Sequence, residues 1–175
     1  MEKKTIWELE RVDVETFRRQ EKLPIAIVLD NVRSLNNIGS IFRTADGFAL
    51  DRVVLCGISA CPPSAEIHKT ALGAEESMKW EYYESTLDAV AALRSQGFTI
   101  CCLEQVTGSI ELQEFKPRND GRYALIVGHE VQGVDQRVVD AADYCLEIPQ
   151  HGTKHSLNVA VSAAIALWHL SQSMH

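Results

Sequence analysis

The chain is predicted to fold as one α/β domain around a mostly parallel sheet, and three observations predict it. Short apolar runs recur along its length, segments of helical periodicity separate them, and 175 residues are enough for one core but not for two. Parallel neighbours need a crossover connection, and the intervening helices supply it.

Residues 1–24 are polar and helix-like, with six basic and six acidic side chains, and form an arm before the body at 25–175. Trp7 on this arm is expected to anchor it to the body. The runs at 26–29, 53–56, 99–103, 124–127 and 145–148 are too short for helices and rich in Val, Ile, Leu and Cys, so each reads as a strand buried on both faces. Residues 80–83 make a sixth. A helix begins near Asn36, capped by Asn36 or Asn37, because Ile38, Ile41, Phe42, Ala45, Phe48 and Ala49 recur at helical spacing. A second helix is expected over 86–95 and a third after Asp135, a good N-cap. The last runs from Ser156, as N-cap, to Leu170, with Leu157, Val161, Ala164, Ile165 and Trp168 on one stripe. Its Ala160, Ala163, Ala164 and Ala166 are too small to fill space and imply close approach to another element or a partner chain.

Bulk properties narrow the function classes. With 46% hydrophobic and 23% charged residues the chain can bury a core, which excludes a disordered protein. No apolar run approaches the ~20 residues of a membrane span, and no signal-peptide core follows Met1, so a cytoplasmic protein is expected. Five cysteines without a CxxC pair suggest neither a disulfide framework nor a metal site. Cys56, Cys101, Cys102 and Cys145 read as small core hydrophobes, with Cys61 the most exposed thiol. The net charge of −7 argues, taken alone, against a nucleic-acid partner. Partitioned, residues 1–60 carry nine basic and nine acidic groups, and residues 61–175 carry eight and fifteen. Cations of the neutral part, Arg18, Arg19, Lys22, Arg33 and Arg43, could therefore form a local positive track.

In open α/β sheets ligands collect beyond the carboxyl ends of the strands, and three loops there carry unusual residues. After strand 26–29 comes Asn37-x-Gly39-x-x-x-Arg43, in which Gly39 lets a backbone or a phosphate approach the first helical turn. Arg43 is aimed over the strand ends, or pairs with Asp46 at the surface. After strand 124–127 comes Gly128-His129-Glu130-x-x-Gly133, which lacks the second histidine of a zinc signature. Read alone, it is a strand-to-helix connection with two glycines. After strand 145–148 come Pro149, a Gly152 loop and Ser156-Leu157-Asn158. His151 and His155 lie four apart, but the intervening glycine weakens a metal-pair reading.

Together these segments resemble the three motifs of the SpoU, or TrmH-like, RNA ribose 2′-O-methyltransferases of the SPOUT superfamily, over about residues 25–172. Pro62-Pro63, Lys69-Thr70 and Leu72-Gly73-Ala74-Glu75 are also similar to that family. His129 stands where asparagine is common, and Gln150-His151 replaces a methionine-containing turn. The resemblance implies a six-stranded parallel sheet with a C-terminal deep trefoil knot, in a homodimer. It implies S-adenosylmethionine as cofactor, held by Leu103, Glu104, Gly128, Ile148, Ser156 and Leu157. It further implies a catalytic set of Arg43, Asn37, Glu130, Ser156 and Asn158. The RNA partner is expected to be tRNA rather than rRNA, met through the short arm and the catalytic face. A guanidinium stays protonated, so Arg43 is expected to orient the ribose and stabilise charge while the proton passes to phosphate or water. Two rivals are a silent RNA-binding scaffold of the same fold and a SPOUT methyltransferase acting on a base nitrogen.

Overall fold

The computed structural model describes residues 1–5, 8 and 11–174. Trp7 and the expected role for it lie outside the described residues. Seven strands form one sheet: β1 (Leu23–Asp30), β2 (Leu50–Cys56), β3 (Trp80–Tyr83), β4 (Thr99–Leu103), β5 (Ile110–Glu111), β6 (Tyr123–Val127) and β7 (Tyr144–Glu147). Their order is β3-β2-β1-β6-β4-β7-β5, and every neighbouring pair is parallel. The parallel α/β expectation is met. The count rises from six to seven because β5 is a two-residue strand on the edge beside β7, too short to leave a periodic signal.

Among the described residues seven α-helices accompany the sheet: α1 (Val14–Arg19), α2 (Leu35–Gly47), α3 (Ala65–Ala71), α4 (Ala74–Ser77), α5 (Thr86–Ser95), α6 (Gln136–Asp140) and α7 (Val159–Ser171). Alternation along β1 divides the core. Ile25, Ile27 and Leu29 face the layer that includes Ile41 and Phe42 of α2, Ile67 of α3 and Leu167 of α7. Ala26 and Val28 face the opposite layer, with Val90 and Leu93 of α5 and Val138 of α6. Burial pushes the thiols of Cys56 and Cys101 up to about 12, so both are inert fillers, while Cys61 and Cys145 are half-buried. Among the described residues no helix is long and apolar enough to cross a membrane.

Three local expectations are corrected. Among its described residues the arm forms one α-helix, the six-residue α1, capped by Asp13, which accepts the Thr16 N–H at 2.8 Å. The N-cap of α2 is Ser34, whose hydroxyl accepts the Asn37 N–H at 3.3 Å; this leaves the Asn37 side chain free for other work. The last helix begins at Val159, because Asn158 rather than Ser156 accepts the N–H groups of Ala160 and Val161, at 2.9 and 3.3 Å. That helix is apolar all round. Ala160, Ala163 and Ala166 turn inward, the last two fully buried, and the stripe faces outward: Val161 is 50%, Ile165 40% and Trp168 55% exposed.

Gly39 serves helix packing and not a phosphate. A Cβ there would lie 2.1 Å from Thr70 Oγ1 and 2.3 Å from the Ile67 carbonyl oxygen, so α2 rests directly on α3. The Thr70 hydroxyl donates to the Asn36 carbonyl at 2.9 Å across the same contact.

Candidate functional site

Chain order along the sheet reverses between β1 and β6: β1 is followed by β2 on one side and flanked by β6 on the other. A crevice opens at such a point beyond the carboxyl ends of the strands. Asp30, which ends β1, is 1% exposed and fully employed there. Its carboxylate accepts the Thr86 hydroxyl at 2.5 Å, the Asn31 side-chain amide at 2.9 Å and the Asp135 N–H at 2.8 Å. It thereby ties the start of α5 and the loop after β6 to the central strand. Motif reading missed Asp30; the available signal was an acidic residue closing an otherwise apolar strand.

The loop after β6 is a tight turn. His129 and Gly133 exchange backbone hydrogen bonds of 3.0 and 2.9 Å. The His129 ring Nδ1 accepts the Val131 and Gln132 N–H groups at 3.1 and 3.3 Å. Both glycines are required by close approach. A Cβ on Gly128 would lie 2.2 Å from the Gly133 carbonyl carbon, and one on Gly133 would lie 2.2 Å from Glu104 Oε2, at a φ of +71° that itself favours glycine. Glu104, at the end of β4, steadies the turn from outside by accepting the Val134 N–H at 2.9 Å.

This turn presents Glu130 to the first motif. Glu130 accepts the Arg33 N–H at 3.1 Å, the Ser34 N–H at 2.9 Å and the Asn37 side-chain amide at 2.9 Å. Burial alone would push its carboxyl up. The hydrogen bonds from Asn37, Ser34 and Arg33 outweigh burial and hold the group below its ordinary value, so it stays ionised. The Asn37 side-chain oxygen in turn accepts the Asn158 amide at 3.1 Å. Asn37 from the first turn of α2, Glu130 from the loop after β6 and Asn158 at the N-cap of α7 thus form one polar relay, Glu130–Asn37–Asn158.

Beside the relay lies a cleft of about 560 Å³, and all six residues expected to hold a cofactor line it: Leu103, Glu104, Gly128, Ile148, Ser156 and Leu157. Its lining is mixed: buried Val127 and Leu146 are apolar, and Glu104, Glu130 and Glu147 are acidic. That volume and mixture suit a small-molecule ligand, and the three carboxylates suit one bearing positive charge. Ser156 lines the cleft and is exposed.

The structure does not bring Arg43 into the relay. It lies exposed on α2 and, among the described residues, makes no hydrogen bond or ion pair; Asp46, its alternative partner, accepts the Ser77 hydroxyl instead. Arg33 is likewise exposed. Three of the arm's cations are engaged: Arg18 donates to the Glu76 carbonyl on α4, Arg19 pairs with Glu15, and the Lys22 ammonium donates to the Phe17 carbonyl and sits 3.0 Å over its ring. His151 and His155 both lie in the exposed segment before α7.

Fold and site define a parallel α/β protein with a ligand cleft at its topological switch point and a polar relay that locks three segments around it. Residues 24–168 match the model of the SpoU rRNA Methylase family, and the chain belongs to that family. It is 29% identical over 164 residues to an uncharacterized tRNA/rRNA methyltransferase of Borreliella burgdorferi, covering 93% of this chain and 69% of the relative. The AdoMet-bound rRNA methyltransferase from Sinorhizobium meliloti superposes with a TM-score of 0.80 at 24% identity, over 91% of this chain and 60% of that one. A structure described for the 2-OH methylation of C/U34 on tRNA superposes with a TM-score of 0.75 at 23% identity, over 86% and 97%. The chain therefore spans about 60% of the Sinorhizobium chain's length.

Proposed function

We propose that the chain is an S-adenosylmethionine-dependent methyltransferase acting on a ribose 2′-hydroxyl of RNA, with tRNA favoured over rRNA. The observation that carries this reading is the Glu130–Asn37–Asn158 relay at the edge of the cleft, because it unites the three motifs by which ribose methylation was expected. The Sinorhizobium protein binds AdoMet, and a chain matched over 97% of its own length is described for 2-OH methylation of C/U34 on tRNA.

When bound, S-adenosylmethionine supplies a methyl made electrophilic by its sulfonium. Leu103, Ile148 and Leu157 would hold its apolar parts, and Gly128, Glu104 and Ser156 its polar ones, with the cleft's carboxylates matching its positive charge. The remaining task is to place a weak nucleophile, and positioning alone can lower the barrier by ~7–11 kcal/mol. Glu130 and Asn37 fix the start of α2, and α2 carries Arg43 to the surface with its guanidinium uncommitted. Arg43 would meet the target ribose and its phosphate, orient the hydroxyl and stabilise the developing charge, while phosphate or water takes the proton. Ser156 would contact donor or ribose at the cleft mouth. Arg33 and the arm residues Arg18, Arg19 and Lys22 would guide the RNA backbone.

The reading includes a cytoplasmic homodimer and a knotted C-terminal segment. The outward stripe of Val161, Ile165 and Trp168 is the face a second copy would cover. Mapping the methyl on product RNA tests the activity. A ribose methyl supports it, a base methyl favours the nitrogen-modifying rival, and no methyl with retained RNA binding favours the silent scaffold.

A further inference from the structure

The turn between β6 and α6 is held by an acceptor that can be switched off. Backbone N–H groups only donate, so the two that reach His129 Nδ1, from Val131 and Gln132, require a lone pair on that nitrogen and place the ring proton on Nε2. A proton added at Nδ1 replaces the acceptor with a donor that faces two other donors. The half-buried ring then has to leave the turn.

We propose that His129 is a positioning residue that makes the cleft sensitive to pH. Neutral His129 staples the turn and holds Glu130 against Arg33, Ser34 and Asn37. Protonated His129 releases the turn, and with it one wall of the cleft. Other charged and titratable groups line the cleft with it: Glu130 within the turn, Glu104 just past β4, Glu147 from β7 and His155 from the segment before α7, while Arg33, from the loop after β1, reaches Glu130 through its backbone N–H. Substitution of His129 itself separates its contribution from theirs. Asparagine supplies a side-chain oxygen that accepts N–H groups two and three residues on and does not titrate. His129→Asn therefore keeps the staple at every pH, and His129→Ala loses it at every pH.

The test has two arms. The first needs no ligand: amide hydrogen exchange at Val131 and Gln132, together with the nitrogen resonance of the His129 ring, followed downward in pH from neutrality until the ring resonance reports protonation. In the native protein both amides should lose protection as the ring protonates. In His129→Asn they should keep it across the range, and in His129→Ala they should be unprotected throughout. The second arm rests on the donor reading given above and measures S-adenosylmethionine binding by calorimetry. Affinity should fall about tenfold over the same range in the native protein, the size of one lost hydrogen bond, and less than about threefold in His129→Asn. Protection that does not respond to pH, or that falls alike in the native protein and His129→Asn, overturns the switch. A pH response of the amides without donor binding at any pH keeps the switch and overturns the donor reading.

Discussion

Replacing Asn37 by alanine tests the relay directly, because this one side chain donates to Glu130 at 2.9 Å and accepts from Asn158 at 3.1 Å. A hydrogen bond to a charged group contributes ~1.5–3 kcal/mol and a neutral one ~1 kcal/mol. Glu130 keeps two backbone donors after the substitution, and water can reach the half-buried site, so the expected loss is the lower part of the sum, about 1–3 kcal/mol of unfolding free energy. A pH signature accompanies it. The carboxyl of Glu130 is held low in the folded state, so its contribution is fully present above the unfolded value of ~4.3 and disappears as the pH falls through the lower folded value. Without the Asn37 donor the folded value rises, and the stability of the variant should differ most from native above that window and converge with it in stronger acid. Urea unfolding from about pH 7 downward measures this. The cycle Asn37→Ala, Asn158→Ala and the double variant should give a coupling of ~0.5 kcal/mol or more. Unfolding curves that coincide with native at neutral pH, or additive single effects, would refute the idea that the three segments share one network.

Other outcomes follow from the same geometry. Arg43→Ala should leave unfolding within ~0.5 kcal/mol of native, since the side chain is exposed, and should lower methyl transfer by about a hundredfold or more with donor affinity unchanged; calorimetry and single-turnover transfer separate the two. Gly39→Ala should cost ~1–3 kcal/mol, because the new methyl meets the Ile67 backbone as well as the Thr70 hydroxyl; a melting point equal to native would contradict the close contact of α2 with α3. Trp168→Glu should convert a dimer to monomers in sedimentation while the far-ultraviolet circular dichroism stays native. Arg18→Glu with Arg19→Glu should weaken RNA binding at low salt and flatten its salt dependence; unchanged affinity would take the arm out of the RNA path.

Strands were the most legible part of the fold. The runs at 80–83 and 99–103 coincide with β3 and β4, the run at 145–148 is one residue late for β7, and β1, β2 and β6 were found in their later parts with their first residues missed, Ile25 and Leu50 among them. What escaped has local physical causes. The two residues of β5 carry no periodicity, and α3 and α4 are short helices in polar sequence. Ser156 and Asn158 are both good caps, and only the fold decides that the segment up to 158 stays outside the helix and exposed. The stripe of α7 misled because an apolar stripe normally marks the buried side, whereas here small residues face the body. The residue types of the site were readable in each loop, yet nothing local to residue 37 announces a bond to residue 130 or 158. Those pairings became expectable only through the likeness of the three motifs, and Asp30, outside any motif, was not found at all.

The first turn of α7 belongs to two surfaces at once. Val159 and Ser162 line the cleft, and Val161, on the same turn, begins the outward stripe that continues through Ile165 and Trp168. Any body seated on that stripe packs against the helical turn that walls the cleft, so association and ligand binding share an element. Thermodynamic reciprocity then applies: a ligand that binds the assembled form more tightly by some factor must tighten assembly by the same factor. Affinities measured on dilute protein would drift upward with protein concentration, and saturating ligand would shift the chain towards the associated state.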